Sequence, residues 1–192
     1  MRIDNVQVYG FWESLVASGL PMFEQYSVDQ FTDSFMMQSD LALERAKVLA
    51  STPVGSGHGN FLTGIVVQMN ITATVKWWEQ WQRYHFQQIV SSMSTMHRLR
   101  KMMRHNTIRF NENTSKSVIE AFMRMLTDPE VTDEQLAYSC PMGIELTARV
   151  STNYMQLKTM YNQRKAHKLT DWLIFCELIK SLPYAKELIT GE

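Results

Sequence analysis

The chain has 192 residues, 45% hydrophobic and 20% charged, an ordinary globular composition, not a disordered one, that suits one domain with a real core. Lys+Arg and Asp+Glu balance at 19 each, so a cationic coat for nucleic acid is not indicated. No apolar run approaches the roughly 18 residues of a membrane span, Met1 to Asn5 lacks the basic-then-apolar layout of a signal peptide, and Cys140 and Cys176 form no CxxC pair for zinc or a disulfide framework. No membrane association and a cytoplasmic, reducing location are the expectations.

Residues 4–9 read as a short strand, with Val6 and Val8 alternating against polar neighbours and Gly10 at its end. Residues 20–38, with Pro21, carry no clear period. The spacing of Ala42, Ala46 and Leu49 predicts a helix over 40–50, capped by Ser39 or Asp40. The Gly, Pro and Ser content of 51–57 predicts a loop. Residues 65–75 give the clearest strand: every odd position from Ile65 to Val75 is apolar and most even ones are polar. A helix over 76–86 follows, with Trp77, Trp78 and Trp81 on its apolar side. These indoles read as core or subunit interface in preference to a base-stacking platform.

Three later helices are predicted. Val118, Phe122 and Met125 make one stripe over 115–126. Thr132-Asp133-Glu134-Gln135 has the form of a capping box. Leu169, Trp172, Leu173 and Cys176 make a stripe over 169–182, which Pro183 stops. The 14 methionines read as core filling before an adaptable binding surface. The expected architecture is a single α/β (α+β) domain over residues 1–192.

Gln80 and Arg83 are three apart, so on a helix they share a face. An amide beside a guanidinium suits a nucleotide, because the guanidinium grips a phosphate or ring carbonyl with two donors. The alternative is an ordinary solvated helix face. Tyr84 and His85 add stacking and hydrogen bonding.

Taken with its neighbours, this segment resembles the flavin-dependent thymidylate synthases. In that family a loop histidine precedes a long strand, a helix bearing Gln-x-x-Arg-His-Arg and then Ser-x-Arg-Tyr. Here His58 stands 22 residues before Gln80, Gln80 to His85 take the place of the first motif, and Ser94-Thr95-Met96-His97 take the place of the second. The family's C-terminal Asn-x5-Asn-x4-Arg is matched by Asn153, Thr159 and Arg164. The resemblance covers about residues 58–97 and 149–182. It departs from the pattern at Tyr84, His85, Met96, His97 and Thr159, where the family has His, Arg, Arg, Tyr and Asn; His97, Arg98 and Arg100 are cations near Met96.

The resemblance implies a mostly antiparallel central sheet flanked by helices. It implies FAD-dependent transfer of a one-carbon unit from methylenetetrahydrofolate to C5 of a pyrimidine deoxynucleotide, such as dUMP to dTMP, with NADPH as the other co-substrate. Gln80, Arg83, Ser94 and Arg164 would bind the nucleotide, with Arg83, Arg164 and Ser94 as the catalytic set. His58, Tyr84, His85, Asn153 and Thr159 would bind FAD, and the family assembles as a homotetramer. The alternative is a non-catalytic nucleotide-binding or structural oligomer that keeps the fold.

Other motifs point less far. Residues 98–109 are the most basic stretch and read as a solvated face or local charge for a nucleotide phosphate before a nucleic-acid contact. No histidine pairs at i,i+4 in a metal-site pattern, so no metal is expected. There is no nucleophile-elbow glycine pattern, and Gly55-Ser56-Gly57-His58-Gly59 lacks the lysine of a phosphate loop.

Overall fold

The period-two run becomes the strand that organises the sheet. In the computed structural model, which describes residues 1–24, 27, 28 and 39–191, Val67, Met69, Ile71 and Ala73 on one face of this strand are fully buried. The four strands are β1 (Arg2–Tyr9), β2 (Val66–Thr74), β3 (Gln87–Ser92) and β4 (Glu145–Asn153), in spatial order β1-β2-β4-β3. The sheet is antiparallel and the fold mixed α and β, as expected. Between β2 and β4 the Thr72 and Thr147 hydroxyls meet at 2.8 Å, and Arg149 donates to Asn70 at 3.3 Å. A step of two back in β2 is a step of two on in β4, which is antiparallel register.

The helices are α1 (Phe11–Ala17), α2 (Ser39–Ala50), α3 (Val75–Trp81), α4 (Thr95–Arg104), α5 (Lys116–Thr127), α6 (Asp133–Tyr138), α7 (Tyr154–Arg164) and α8 (Thr170–Lys180), with a π-helical turn at Lys186–Thr190. Of the unassigned 20–38 stretch, Leu20–Met22 forms a 3₁₀ turn, while 25, 26 and 29–38 lie outside the described residues. Among the described residues no helix is long and apolar enough to cross a membrane.

Two compact units divide the chain. The first comprises Met1–Asp4, Asn70–His85 and Ile89–Val150. Its core joins Leu99 and Met102 of α4, Phe122 and Leu126 of α5, and Leu136 of α6 to Ile108 and Ile144. Alongside, Trp77 and Trp81 stack at 5.1 Å and Trp78 meets Trp77 edge-on at 5.0 Å. Each indole removes roughly 150–250 Å² from water, on the order of 4–6 kcal/mol per ring at about 25 cal/mol/Å² as an upper figure. Gly143 is required here, since a Cβ would lie 2.0 Å from the Thr114 hydroxyl.

The second unit comprises Asn5–Met69, Phe86–Gln88 and Ser151–Glu192. Leu15, Leu62, Tyr154, Leu157, Trp172 and Phe175 are buried within it. Gly10 ends β1 by a left-handed turn, at φ 66°, and a Cβ there would meet the Gly64 carbonyl at 2.7 Å.

Several expectations need correction. The helix over 76–86 ends at Trp81, with Gln82 as its cap. A continued helix would need the Phe86 N–H internally; instead it donates to the buried Gln156 Oε1 at 3.1 Å, while Thr152 Oγ1 donates to the Phe86 carbonyl at 3.0 Å. Strand β3, which follows, is absent from the sequence reading, as is β4. In α5 the buried residues are Phe122 and Leu126, with Val118 exposed. In α8 Phe175 and Ile179 join Trp172 and Cys176 inside while Leu173 faces out, and the helix stops at Lys180, before Pro183. Core filling describes Met69, Met102 and Met160, but Met22, Met93, Met96 and Met142 are exposed. The capping box at Thr132 is present in full.

Candidate functional site

In the first unit, the inward indoles of α3 turn its polar residues out. Thr74 starts the helix by accepting the Trp77 N–H at 3.2 Å, and Trp78 Nε1 donates to the Leu146 carbonyl at 3.1 Å. With that rotation fixed, Gln80 is half-buried and Glu79 and Lys76 are exposed. Arg83 lies past the end of the helix, so the shared helical face predicted for Gln80 and Arg83 does not form. The two stay adjacent through the turn, the Arg83 N–H donating to the Gln80 carbonyl at 3.4 Å. The Glu79 carboxyl is held below the usual carboxylate range, first by its hydrogen bond from Lys76 and in lesser part by the Arg83 charge. Tyr84 is buried, and His85 and Arg83 are exposed.

Ser94 is the N-cap residue of α4, and its side chain makes no capping hydrogen bond. It lines a cavity of about 700 Å³ with Ser91, Thr147, the α4 residues Arg98 and Lys101, and His105, which caps α4. Positions 98, 101 and 105 follow the helical interval, Met102 lies beside them in the same lining, and Leu99 is buried. A second cavity of about 440 Å³ is lined by Trp78, Gln82, Tyr138, Cys140 and Leu146, among others. The two cavities share Ser92, Met93 and Thr147. Burial pushes the Cys140 thiol up to about 11, so near neutral pH it is a protonated thiol and not a nucleophile.

Met96, two residues after Ser94, is exposed and brings no charge. Arg100 is used structurally: its guanidinium donates to the carbonyls of Leu126 at 2.7 Å, Asp128 at 3.1 Å and Val131, and to Asp133 at 3.2 Å. Arg109 donates to the carbonyls of Asn106 and Ile108, both at 2.8 Å. Of the arginines in the basic stretch, Arg98 is the one that lines the Ser94 cavity.

In the second unit, Asn153 caps α7, its Oδ1 accepting the Gln156 N–H at 2.8 Å. Arg164 stands eleven residues on, close to three turns at 3.6 residues per turn, so the two share a helix face about 16 Å apart at 1.5 Å per residue. Thr159, between them, is turned away from that face and donates back to the Met155 carbonyl at 3.2 Å. The Arg164 guanidinium lies over the buried Trp172 ring. His58 is exposed in the 51–59 loop, where Gly55 and Gly57 take φ of 96° and 83° with open space around them.

Each unit therefore gathers part of the predicted set: Gln80, Arg83, Tyr84, His85 and Ser94 in the first, His58, Asn153, Thr159 and Arg164 in the second. The sequence reading did not single out Lys101, His105, Gln82 or Tyr138 as lining residues. The helical interval within 98–105 was the available signal. Strands β3 and β4, absent from the sequence reading, bring in Ile89, Ser91, Ser92, Leu146, Thr147 and Ala148.

No protein-family model and no curated protein matches this chain. Two solved structures of the flavin-dependent thymidylate synthase ThyX of Helicobacter pylori, both with FAD and dUMP, are similar along its whole length. One has a TM-score of 0.73 at 13% identity, covering 100% of this chain and 99% of that one. The other has a TM-score of 0.70 at 13% identity, covering 100% and 98%. At this identity the likeness is one of fold: the chain has the fold of a flavin-dependent thymidylate synthase.

Proposed function

We propose that this chain is an FAD-dependent enzyme that moves a one-carbon unit from methylenetetrahydrofolate to C5 of a pyrimidine deoxynucleotide, of the dUMP-to-dTMP type. The observation that carries this reading is the coincidence of a full-length fold likeness with residues of the right chemistry at the motif positions. Either alone would be weak, since a fold hosts many functions.

The residues present fit a flavin by the chemistry of their donors. His58 is exposed in an open loop whose two left-handed glycines leave the backbone approachable. The Asn153 amide and His85 imidazole add donors suited to ring carbonyls and phosphates. Thr159 fits less well, because its hydroxyl is tied to Met155. Tyr84, being buried, would set the direction of His85. Reduced FAD, when bound, supplies a hydride, with NADPH as the reductant that restores it. The chain's own residues would bind and orient: Gln80 and Arg83 hold the pyrimidine ring, Ser94 contacts the nucleotide, and Arg164 with Arg83 stabilises charge developing on the ring. We propose further that residues 1–192 act as one domain, that the working form is a homotetramer and that its location is cytoplasmic.

A second reading, a nucleotide-binding or structural oligomer without catalysis, is favoured by Met96 and by the engaged Thr159 hydroxyl. The absorption spectrum of the purified protein separates the two when FAD and then dUMP are added. Retained flavin bands that shift with dUMP support the enzyme. A folded oligomer that takes up no flavin at micromolar FAD rejects it.

A further inference from the structure

The cavity beside Ser94 holds a concentration of positive charge in a chain whose net charge is zero. Arg98 and Lys101 line it, and no carboxylate does. Among the described residues neither cation has an ion-pair partner or a hydrogen bond, in contrast to Arg100 and Arg109 on the same stretch. Hydroxyls of Ser91, Ser92 and Ser94 add donors to the lining. The volume, about 700 Å³, is in the range of small-molecule sites. A neighbouring cavity, which shares Ser92, Met93 and Thr147, is lined by the Trp78 and Tyr138 rings and the Gln82 amide, among others. Two cations among serine hydroxyls are the lining that a small anion requires.

We propose that Arg98 and Lys101 bind the phosphate of a nucleoside monophosphate in this cavity, supplying the charge that Met96 lacks. The proposal rests on the nucleotide reading above and goes beyond it by moving the phosphate contact onto α4. Charge-assisted bonds to phosphate give both affinity and salt dependence. A nucleic-acid polyanion is disfavoured, because two cations in a cavity on a neutral chain give no track for a backbone.

The test is calorimetric titration of the full chain with dUMP, deoxyuridine, orthophosphate and a single-stranded oligonucleotide. Wild type, the Arg98→Ala/Lys101→Ala double variant and Arg98→Lys are compared, with circular dichroism to verify folding. The expected result is dUMP binding at least tenfold weaker in the double variant, partly retained in Arg98→Lys, with deoxyuridine binding unchanged and the salt dependence flattened. A folded double variant that binds dUMP like wild type overturns the phosphate assignment and leaves the nucleotide reading standing. Wild type that ignores dUMP but binds orthophosphate through Arg98 and Lys101 overturns the nucleotide reading and keeps an anion site. Binding of neither dUMP nor orthophosphate, or of the oligonucleotide alone, overturns the proposal.

Discussion

The guanidinium of Arg164 lies 4.6 Å from the centre of the Trp172 ring. Trp172 is fully buried, so the ring is a fixed platform and the arginine, at the last turn of α7, is held by it. A cation over an indole contributes about 0.5–2 kcal/mol. Arg164→Ala is expected to lower stability by about 1 kcal/mol, a few degrees in melting temperature for a chain of this size, and to weaken dUMP binding. Thermal melts and dUMP titration of the variant check both. A melting point and an affinity equal to wild type would show that the stacked arginine serves neither purpose.

His167, next to this pair, links the start of α8 to pH. Its Nδ1 accepts the Leu169 N–H at 3.0 Å, which requires the lone pair of the unprotonated nitrogen. Burial, and in lesser part the Arg164 charge, holds the imidazole below its ordinary value. The unfolded chain therefore takes up the proton first. Stability from this group is full above about 6.5, falls as pH drops from there to the folded-state value, and is flat below it. His167→Asn keeps an acceptor for Leu169 without titrating. Melting temperature between about pH 7.5 and 5 should fall less steeply in that variant than in wild type. Equal slopes would place the acid sensitivity elsewhere.

Two neighbouring arginines of α4 should behave in opposite ways. Arg100 satisfies the carbonyls of Leu126 in the last turn of α5 and of Asp128 and Val131 beyond it, and pairs with Asp133. Removing it strands partly buried acceptors, so Arg100→Ala should cost about 2–4 kcal/mol. Arg100→Lys should recover only part, because one ammonium cannot replace a planar fork of donors. Arg98→Ala should change stability by less than about 0.5 kcal/mol. Urea unfolding of the three variants decides it, and a similar loss at both positions would contradict the division of labour between them.

The contrast also shows where local pattern stops being informative. The strand β2 was legible because alternation from Ile65 onward is the same signal that burial produces. The box at Thr132 was legible because its two hydrogen bonds lie within four residues. Strand β3 was not, since it sits at the sheet edge with only Gln87 and Ile89 half-buried, leaving little alternation to read. In β4 the buried side carries Ala148, Val150 and Thr152, small or polar residues with a weak apolar period. The helix predicted over 76–86 rests on Trp77, Trp78 and Trp81, and it ends with the last of these, Gln82 being its cap. The motif residues could be named from the resemblance. That Arg100 is consumed and Arg98 faces a cavity depends on partners from β3, β4, α5 and α6, which no spacing along 98–105 contains.

Arg83 and Arg98 can be told apart by the ligand each should grip. Arg83 is exposed beside Gln80 at the end of α3, so Arg83→Ala should leave the fold intact, within about 0.5 kcal/mol. If the Gln80–Arg83 pair holds the pyrimidine ring, the variant should lose affinity for dUMP and for deoxyuridine by the same factor, about tenfold or more. Loss of Arg98 should be felt by dUMP alone, because only dUMP carries the phosphate. Titrating both ligands into both variants gives four affinities that assign ring and phosphate separately. Should Arg83→Ala bind both ligands as wild type does, Arg83 is outside the site and the motif reading of 80–85 fails, whatever the result at Arg98.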